Sequence, residues 1–151
     1  MNNKSESLLN AWLRLSTSVI NPRLVSEMSY NESLVCNILY TNYCENPEKK
    51  ITATDLCHET KMLKSQMNRT LNLLEKKNMI VKERSPEDKR HIWISFNFEN
   101  ALIYKTQHDR IIKLVDTIIS QVGEEQASEA IKLISALPDA ADKAIYDLKN
   151  T

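Results

Sequence analysis

Between Lys61 and Arg90 the sequence concentrates positive charge. Nine basic residues (Lys61, Lys64, Arg69, Lys76, Lys77, Lys82, Arg84, Lys89, Arg90) stand against four acids (Glu75, Glu83, Glu87, Asp88), a local excess of five. The whole chain of 151 residues balances 20 Lys and Arg with 20 Asp and Glu, so the remainder carries the matching deficit. Such a separation lets one face meet phosphates while the rest stays acidic. Within the segment, Met67, Leu71 and Leu74 fall on one helical stripe, which turns Lys64, Ser65, Asn68, Arg69, Asn72 and Lys76 to the opposite side. Long cationic donors separated by short hydroxyl and amide side chains suit phosphates and base edges. An ordinary solvated helix face would also be charged, and on the residues alone that reading stays open.

Other chemistries find little support. There is no glycine-rich phosphate loop, no HExxH and no His–Cys set at metal spacing; His58, His91 and His108 fall in three separate elements. No catalytic residue, metal or cofactor is therefore expected, and the chain is read as a non-enzyme. Cys36, Cys44 and Cys57 are an odd number without a CxxC pair, which suits free thiols in a reducing cytosol, so a cytoplasmic location is expected. Cys36 and Cys44 are eight residues apart on one predicted helix, roughly 12 Å by the helical rise, too far to bridge within a chain. Cys57 reads as small core filler. The start MNNKSESLLNAWLR holds no apolar run of signal-peptide length, and no later segment could span a bilayer.

The elements that must position the charged face follow from period and punctuation. One glycine and four prolines, with apolar residues at helical spacing nearly throughout, predict a mainly α protein. Leu8, Trp12, Leu15 and Val19 recur as a stripe on a first helix that should end near Asn21-Pro22. Ser29-Tyr30-Asn31-Glu32 has the form of a capping box and opens a second helix through Leu34, Ile38 and Leu39, which Asn46-Pro47 ends in a turn. Thr52-Ala53-Thr54-Asp55 forms another N-cap, with the Asp carboxylate in the first turn. The next helix, from Met62 to Asn78, carries the charged face, and Asn78 tolerates the left-handed φ of a C-cap. MIVKER and HIWISF then read as two strands joined by SPEDKR, with Ile92, Ile94 and Phe96 on one face. Helix, turn, helix and a two-stranded ribbon with a basic tip make a winged helix-turn-helix pattern over Ile51–Phe96.

After Asn97 the period is helical again. Tyr104, His108, Ile111, Val115, Ile118 and Val122 mark a long helix that Ile112 and Ile119 widen on its apolar side and Gly123 breaks. Ala127, Ala130, Ile131, Ile134 and Leu137 mark a further helix that Pro138 ends or kinks before Ala141, Ile145 and Leu148. These helices exceed what the winged module needs for its own core. Self-association through the two ends of the chain is the expectation, with packing within one chain as its alternative.

The stretch LCHETKMLKSQMNRTLNLLEKKNMIVKERSPEDKRHIWISF resembles the DNA-binding core of the multiple-antibiotic-resistance regulator (MarR) family of bacterial transcription factors. The wing, Arg84-Ser85-Pro86-Glu87-Asp88-Lys89-Arg90, matches that family's pattern of an acid two residues before an arginine. Leu74-Glu75-Lys76-Lys77-Asn78-Met79-Ile80 matches as well, with Asn78 in place of the family's usual glycine. The resemblance is specific between residues 51 and 96 and architectural elsewhere.

It implies a winged helix-turn-helix DNA-binding domain over residues 29–98, flanked by a helical dimerisation region over 1–28 and 99–151. It further implies a homodimer holding two modules about one DNA turn apart on a pseudo-palindromic operator in double-stranded DNA, acting as a repressor. Lys64, Ser65, Gln66, Asn68, Arg69 and Asn72 would lie on the recognition helix. Arg84, Asp88, Lys89 and Arg90 would form the wing, with Arg90 entering the minor groove and Asp88 orienting it. Relatives often bind a small aromatic or anionic effector in a cleft to which Trp12, Tyr30, Tyr40, His58 and His108, with Tyr43, could contribute; each could equally be a core or interface residue. The alternatives are a winged-helix protein-interaction scaffold that binds no DNA, a thiol-based redox-sensing regulator, and a repressor that answers only to its own concentration. Which operator and which genes are involved is not written in the chain.

Overall fold

The computed structural model describes residues 3–20 and 28–150. In chain order it forms α1 (Asn3–Ile20), α2 (Tyr30–Glu45), α3 (Ala53–Thr60), α4 (Lys64–Lys76), β1 (Ile80–Arg84), β2 (Ile92–Phe96), a 3-10 turn (Phe98–Asn100), α5 (Ala101–Val122) and α6 (Glu124–Lys149). The mainly α class with one small β-hairpin is as expected from the sequence. The chain divides into two compact units, residues 1–108 and residues 109–151.

In the first unit the helix starts are fixed locally. Ser29 Oγ accepts from Glu32 N at 3.2 Å while Ser29 N donates to Glu32 Oε2 at 2.7 Å. Thr52 and Asp55 make the same reciprocal pair at the start of α3. Each pair satisfies two backbone N–H groups that a helix start otherwise leaves open, an effect of about 1 kcal/mol. Asp55's carboxyl is held below its usual range, first by the Thr52 backbone N–H and against a small opposing effect of burial. Helix α4 begins two residues later than the sequence suggested. Lys61 takes a left-handed conformation (φ 60°), so Met62 and Leu63 belong to the turn, and Leu63 N donates to Gln66 Oε1 at 3.2 Å. Asn78 is left-handed as expected (φ 56°), and its carbonyl accepts from the side chains of Asn97 and Asn100.

Among the described residues the main hydrophobic cluster lies within this unit. Val35, Cys36 and Leu39 of α2 meet Leu56 of α3, Met67, Leu71 and Leu74 of α4, Met79 and Ile80, Ile94 and Phe96 of β2, and Tyr104. The buried face of α2 thus runs through Val35 and Cys36, with Leu34 and Ile38 only partly covered. The hairpin is antiparallel, pairing Ile80 with Phe96 and Arg84 with Ile92. Ile92 was expected on the buried face, yet it is exposed, because the hairpin there has run past the end of the core. Trp93 bridges back to Thr52, and Ile94 N donates to Ile51 O at 2.8 Å, tying the entry to α3 onto the sheet.

Helix α1 leaves Leu8, Trp12 and Leu15 exposed; the expected helix end at Asn21-Pro22 lies outside the described residues, as does the side chain of Val19. In the second unit Gly123 caps α6 at φ 97°, where an added Cβ would lie 2.7 Å from Gln126 Oε1. A side chain there is strained by the positive φ, while the exposed Gln126 side chain can move aside. Pro138 does not end the helix: α6 runs through it to Lys149. The exposed site lets water take up the one carbonyl that proline leaves unbonded. Ile118, Val122, Ile131, Ile134, Ile145 and Leu148 are all exposed in the single chain.

Candidate nucleic-acid interface

Helix α4 presents the face the sequence described. Met67, Leu71 and Leu74 are buried, and Lys64, Ser65, Gln66, Asn68, Arg69, Asn72 and Lys76 are exposed. Two of its amides are already bonded through their oxygens. Gln66 caps the helix at Leu63 N, and Asn72 Oδ1 accepts from Lys82 Nζ at 2.9 Å. The same ammonium donates to Glu75 Oε2 at 2.8 Å, so β1 and the reading helix are cross-tied.

The wing is built around a residue that sequence reasoning passed over. Ser85 is buried within the tip, its Oγ accepts from Glu87 N and Asp88 N at 3.3 Å each, and its N donates to His91 O at 2.9 Å. The serine in SPEDKR is therefore a turn former, a role its hydroxyl takes by bonding backbone two and three residues on. Asp88 Oδ1 accepts from Arg90 N at 3.0 Å and from Arg90 Nε at 3.3 Å. These bonds hold Asp88's carboxyl below its usual range, the backbone N–H contributing most. The Arg90 side chain remains 90% exposed, so Asp88 aims it without covering it. Arg84 and Lys89 flank it in the open, with Arg84 Nη1 3.5 Å from Lys89 O.

A second pair missed by the sequence lies at the end of α4. Lys77 Nζ donates to Glu32 Oε2 at 2.9 Å, on the oxygen that also caps α2. Lys77 thus meets an acid 45 positions away, and its charge is matched within the fold.

The aromatic and histidine candidates are not gathered in one place. Tyr40 and His108 share Tyr104 as neighbour, with ring centroids 5.4 and 5.7 Å away. Tyr104 donates to Asn37 Oδ1 at 3.0 Å, and burial pushes its hydroxyl up to about 12. Trp12 lies on α1, Tyr30 at the first position of α2, and His58 in the last turn of α3. A cavity of about 230 Å³ opens instead between the end of α2, residues 47–51 and β2, with Tyr43, Lys50, Trp93 and Phe98 among its walls. Of the expected residues only Tyr43 borders it. Lys50 Nζ sits 5.1 Å from the centre of the Trp93 ring, and Tyr43 packs on Phe98 at 4.1 Å. Cys36 is buried beside Glu32, and burial first, then that carboxylate, pushes its thiol up to about 12.

A protein-family model described as "MarR family" matches residues 44–91. Among solved structures the chain is similar to the transcriptional repressor CouR bound to a 23-mer DNA duplex, with a TM-score of 0.78 and 17% identity over 91% of this chain and 96% of that one. It is also similar to the S. aureus MepR–DNA complex (TM-score 0.69, 13% identity, 93% of this chain and 99% of that one). A third is the PcaV transcriptional regulator from Streptomyces coelicolor in complex with its natural ligand (TM-score 0.64, 17% identity, 91% of this chain and 90% of that one). At these identities the likeness establishes the fold. No curated protein matches the sequence significantly.

Proposed function

We propose that this chain, whose winged module belongs to the MarR family, is a dimeric, sequence-specific DNA-binding transcriptional regulator, acting as a repressor released by a small ligand. One observation carries the reading. The outward face of α4 and the tip of the wing present cations and hydrogen-bonding side chains together, while Met67, Leu71 and Leu74 on the other side of α4 are buried in the core. An α-helix of this width fits the major groove, and an exposed arginine at the end of a narrow hairpin fits the minor groove. In this reading Lys64, Ser65, Asn68, Arg69 and Asn72 meet the major groove, with Gln66 holding the helix start. Arg84, Lys89 and Arg90 meet backbone and minor groove, and Asp88 orients Arg90.

The dimer is supported by the apolar side chains that α1, α5 and α6 leave exposed in the single chain, including Trp12, Ile118, Ile134 and Leu148. Apolar surface on that scale is a liability for a monomer and is ordinary for the interface of a symmetric pair. On this basis residues 1–28 and 99–151 join two modules over residues 29–98. PcaV is a ligand-bound relative by fold, and a comparable effector here would be a small aromatic or anionic molecule reached by some of Trp12, Tyr30, Tyr40, His58 and His108. A switch at Cys36 is disfavoured, since a thiol held near 12 stays protonated and unreactive at neutral pH.

Substituting Arg90→Ala tests the wing. Losing one charged contact should weaken operator binding by about tenfold in a gel-shift titration. Unchanged affinity would remove Arg90 from the interface.

A further inference from the structure

On the reading face of α4 three side chains carry amides, Gln66, Asn68 and Asn72, and all three are exposed. To read adenine an amide must do two things at once: accept from the base's amino group and donate to its N7. Gln66 Oε1 is bonded to Leu63 N. Asn72 Oδ1 is bonded to an ammonium, Lys82 Nζ, which Glu75 holds in place from the next turn of the same helix. Lys82 is well covered, with a side chain 22% exposed, so the bridge is pinned from the strand side. An amide oxygen has a second lone pair, but a cation 2.9 Å away repels the positive end of any incoming base N–H. What Asn72 offers to a groove is its NH2 group. Asn68 has neither atom engaged among the described residues.

Resting on the DNA-binding reading above, we infer that Lys82 sets base preference without touching DNA. By holding Asn72 Oδ1 it makes Asn72 a hydrogen-bond donor only, and it leaves Asn68 as the amide able to read adenine. A donor alone is satisfied by N7 of either purine, O6 of guanine or O4 of thymine, so the base facing Asn72 is chosen only against cytosine and the base facing Asn68 is chosen as adenine. Lys82 is a positioning residue in this scheme. Its removal returns an acceptor to Asn72 and converts a position closed only to cytosine into an adenine position.

The experiment is selection from a randomised duplex pool, with recovered sequences counted for the wild-type chain and for Lys82→Met, Lys82→Arg, Asn72→Ala and the Lys82→Met/Asn72→Ala pair. The wild type should recover a two-fold site with one half-site position that accepts adenine, guanine and thymine but not cytosine. Lys82→Met should shift that position toward adenine by about fivefold or more, the scale of a bidentate amide–adenine pair. Lys82→Arg keeps a donor for both acceptors and should behave as the wild type. The double variant should lose the preference as Asn72→Ala does, which assigns the effect to Asn72 and not to a general loss of structure. Identical base preferences for the wild type and Lys82→Met would overturn the inference while leaving DNA binding intact. So would an adenine shift that persists in the double variant. Failure of the wild type to enrich any sequence would instead overturn the DNA-binding reading on which the inference rests.

Discussion

Glu32 is the residue whose loss should most clearly separate local from tertiary contributions in this module. Its carboxylate is buried, and one oxygen accepts both from Ser29 N at 2.7 Å and from Lys77 Nζ at 2.9 Å. Glu32→Ala removes the acceptor half of a capping box, about 1 kcal/mol, and a charge-assisted hydrogen bond, about 1.5–3 kcal/mol. Lys77 is 40% exposed and can turn to water, which places the second figure at its lower end, so the sum is about 2.5 kcal/mol. Glu32→Gln keeps the volume and a neutral acceptor for Ser29 N, and should cost about 1–2 kcal/mol. Urea unfolding at neutral pH and one fixed protein concentration measures both, the latter because dimerisation makes stability depend on concentration. A double-mutant cycle with Lys77→Met should give a coupling of about 1 kcal/mol with Glu32. If Glu32→Ala lies within about 0.5 kcal/mol of the wild type, the scale of an unremarkable surface change, the energetic argument for this contact is wrong.

Two further outcomes are expected. Asn78→Ala should destabilise the module by about 1 kcal/mol, because alanine resists the φ of 56° there, whereas Asn78→Gly should be neutral or slightly stabilising; thermal unfolding of both variants checks the sign. Asp88 has its carboxyl lowered from the ordinary 3.8 in the folded wing, so its contribution to wing order is fully present above that value and is lost as pH falls through the lower folded one. An NMR titration of the Asp88 carboxyl carbon should follow that order, and an unshifted midpoint would break the Asp88–Arg90 link.

What could be read from the sequence was what local period and punctuation encode. The two capping boxes sit where Ser29…Glu32 and Thr52…Asp55 announce them, and Asn78 turns left-handed where a helix of that stripe has to stop. The outward set on α4 followed from Met67, Leu71 and Leu74 alone. Two of the misses come from contacts between elements and two from local turns. Lys77 and Lys82 counted as cations for phosphate, yet each meets an acid in the fold, one on α2 and one across from β1. Gln66 reads as a base-contacting amide because the sequence, with an apolar residue at the helix start, does not announce that Leu63 is the N-cap whose backbone N–H it bonds. Ser85 looks like linker until its hydroxyl is seen to gather the turn. The ligand candidates were chosen by residue type, which carries no information on convergence; Tyr40 and His108 come together on the Tyr104 ring.

The central claim, that α4 and the wing form an electrostatic footprint for duplex DNA, is tested most directly by the salt dependence of binding. Lys64, Arg69, Lys76, Arg84, Lys89 and Arg90 are exposed on each module. If half of them meet phosphates in a dimer, about six contacts form, and the logarithm of the association constant should fall with the logarithm of salt at a slope of about −5. That corresponds to a loss of about a thousandfold between 50 and 200 mM. A slope near zero, or no duplex binding at the lower salt, would contradict the account and leave a protein-interaction scaffold as the better reading of the fold.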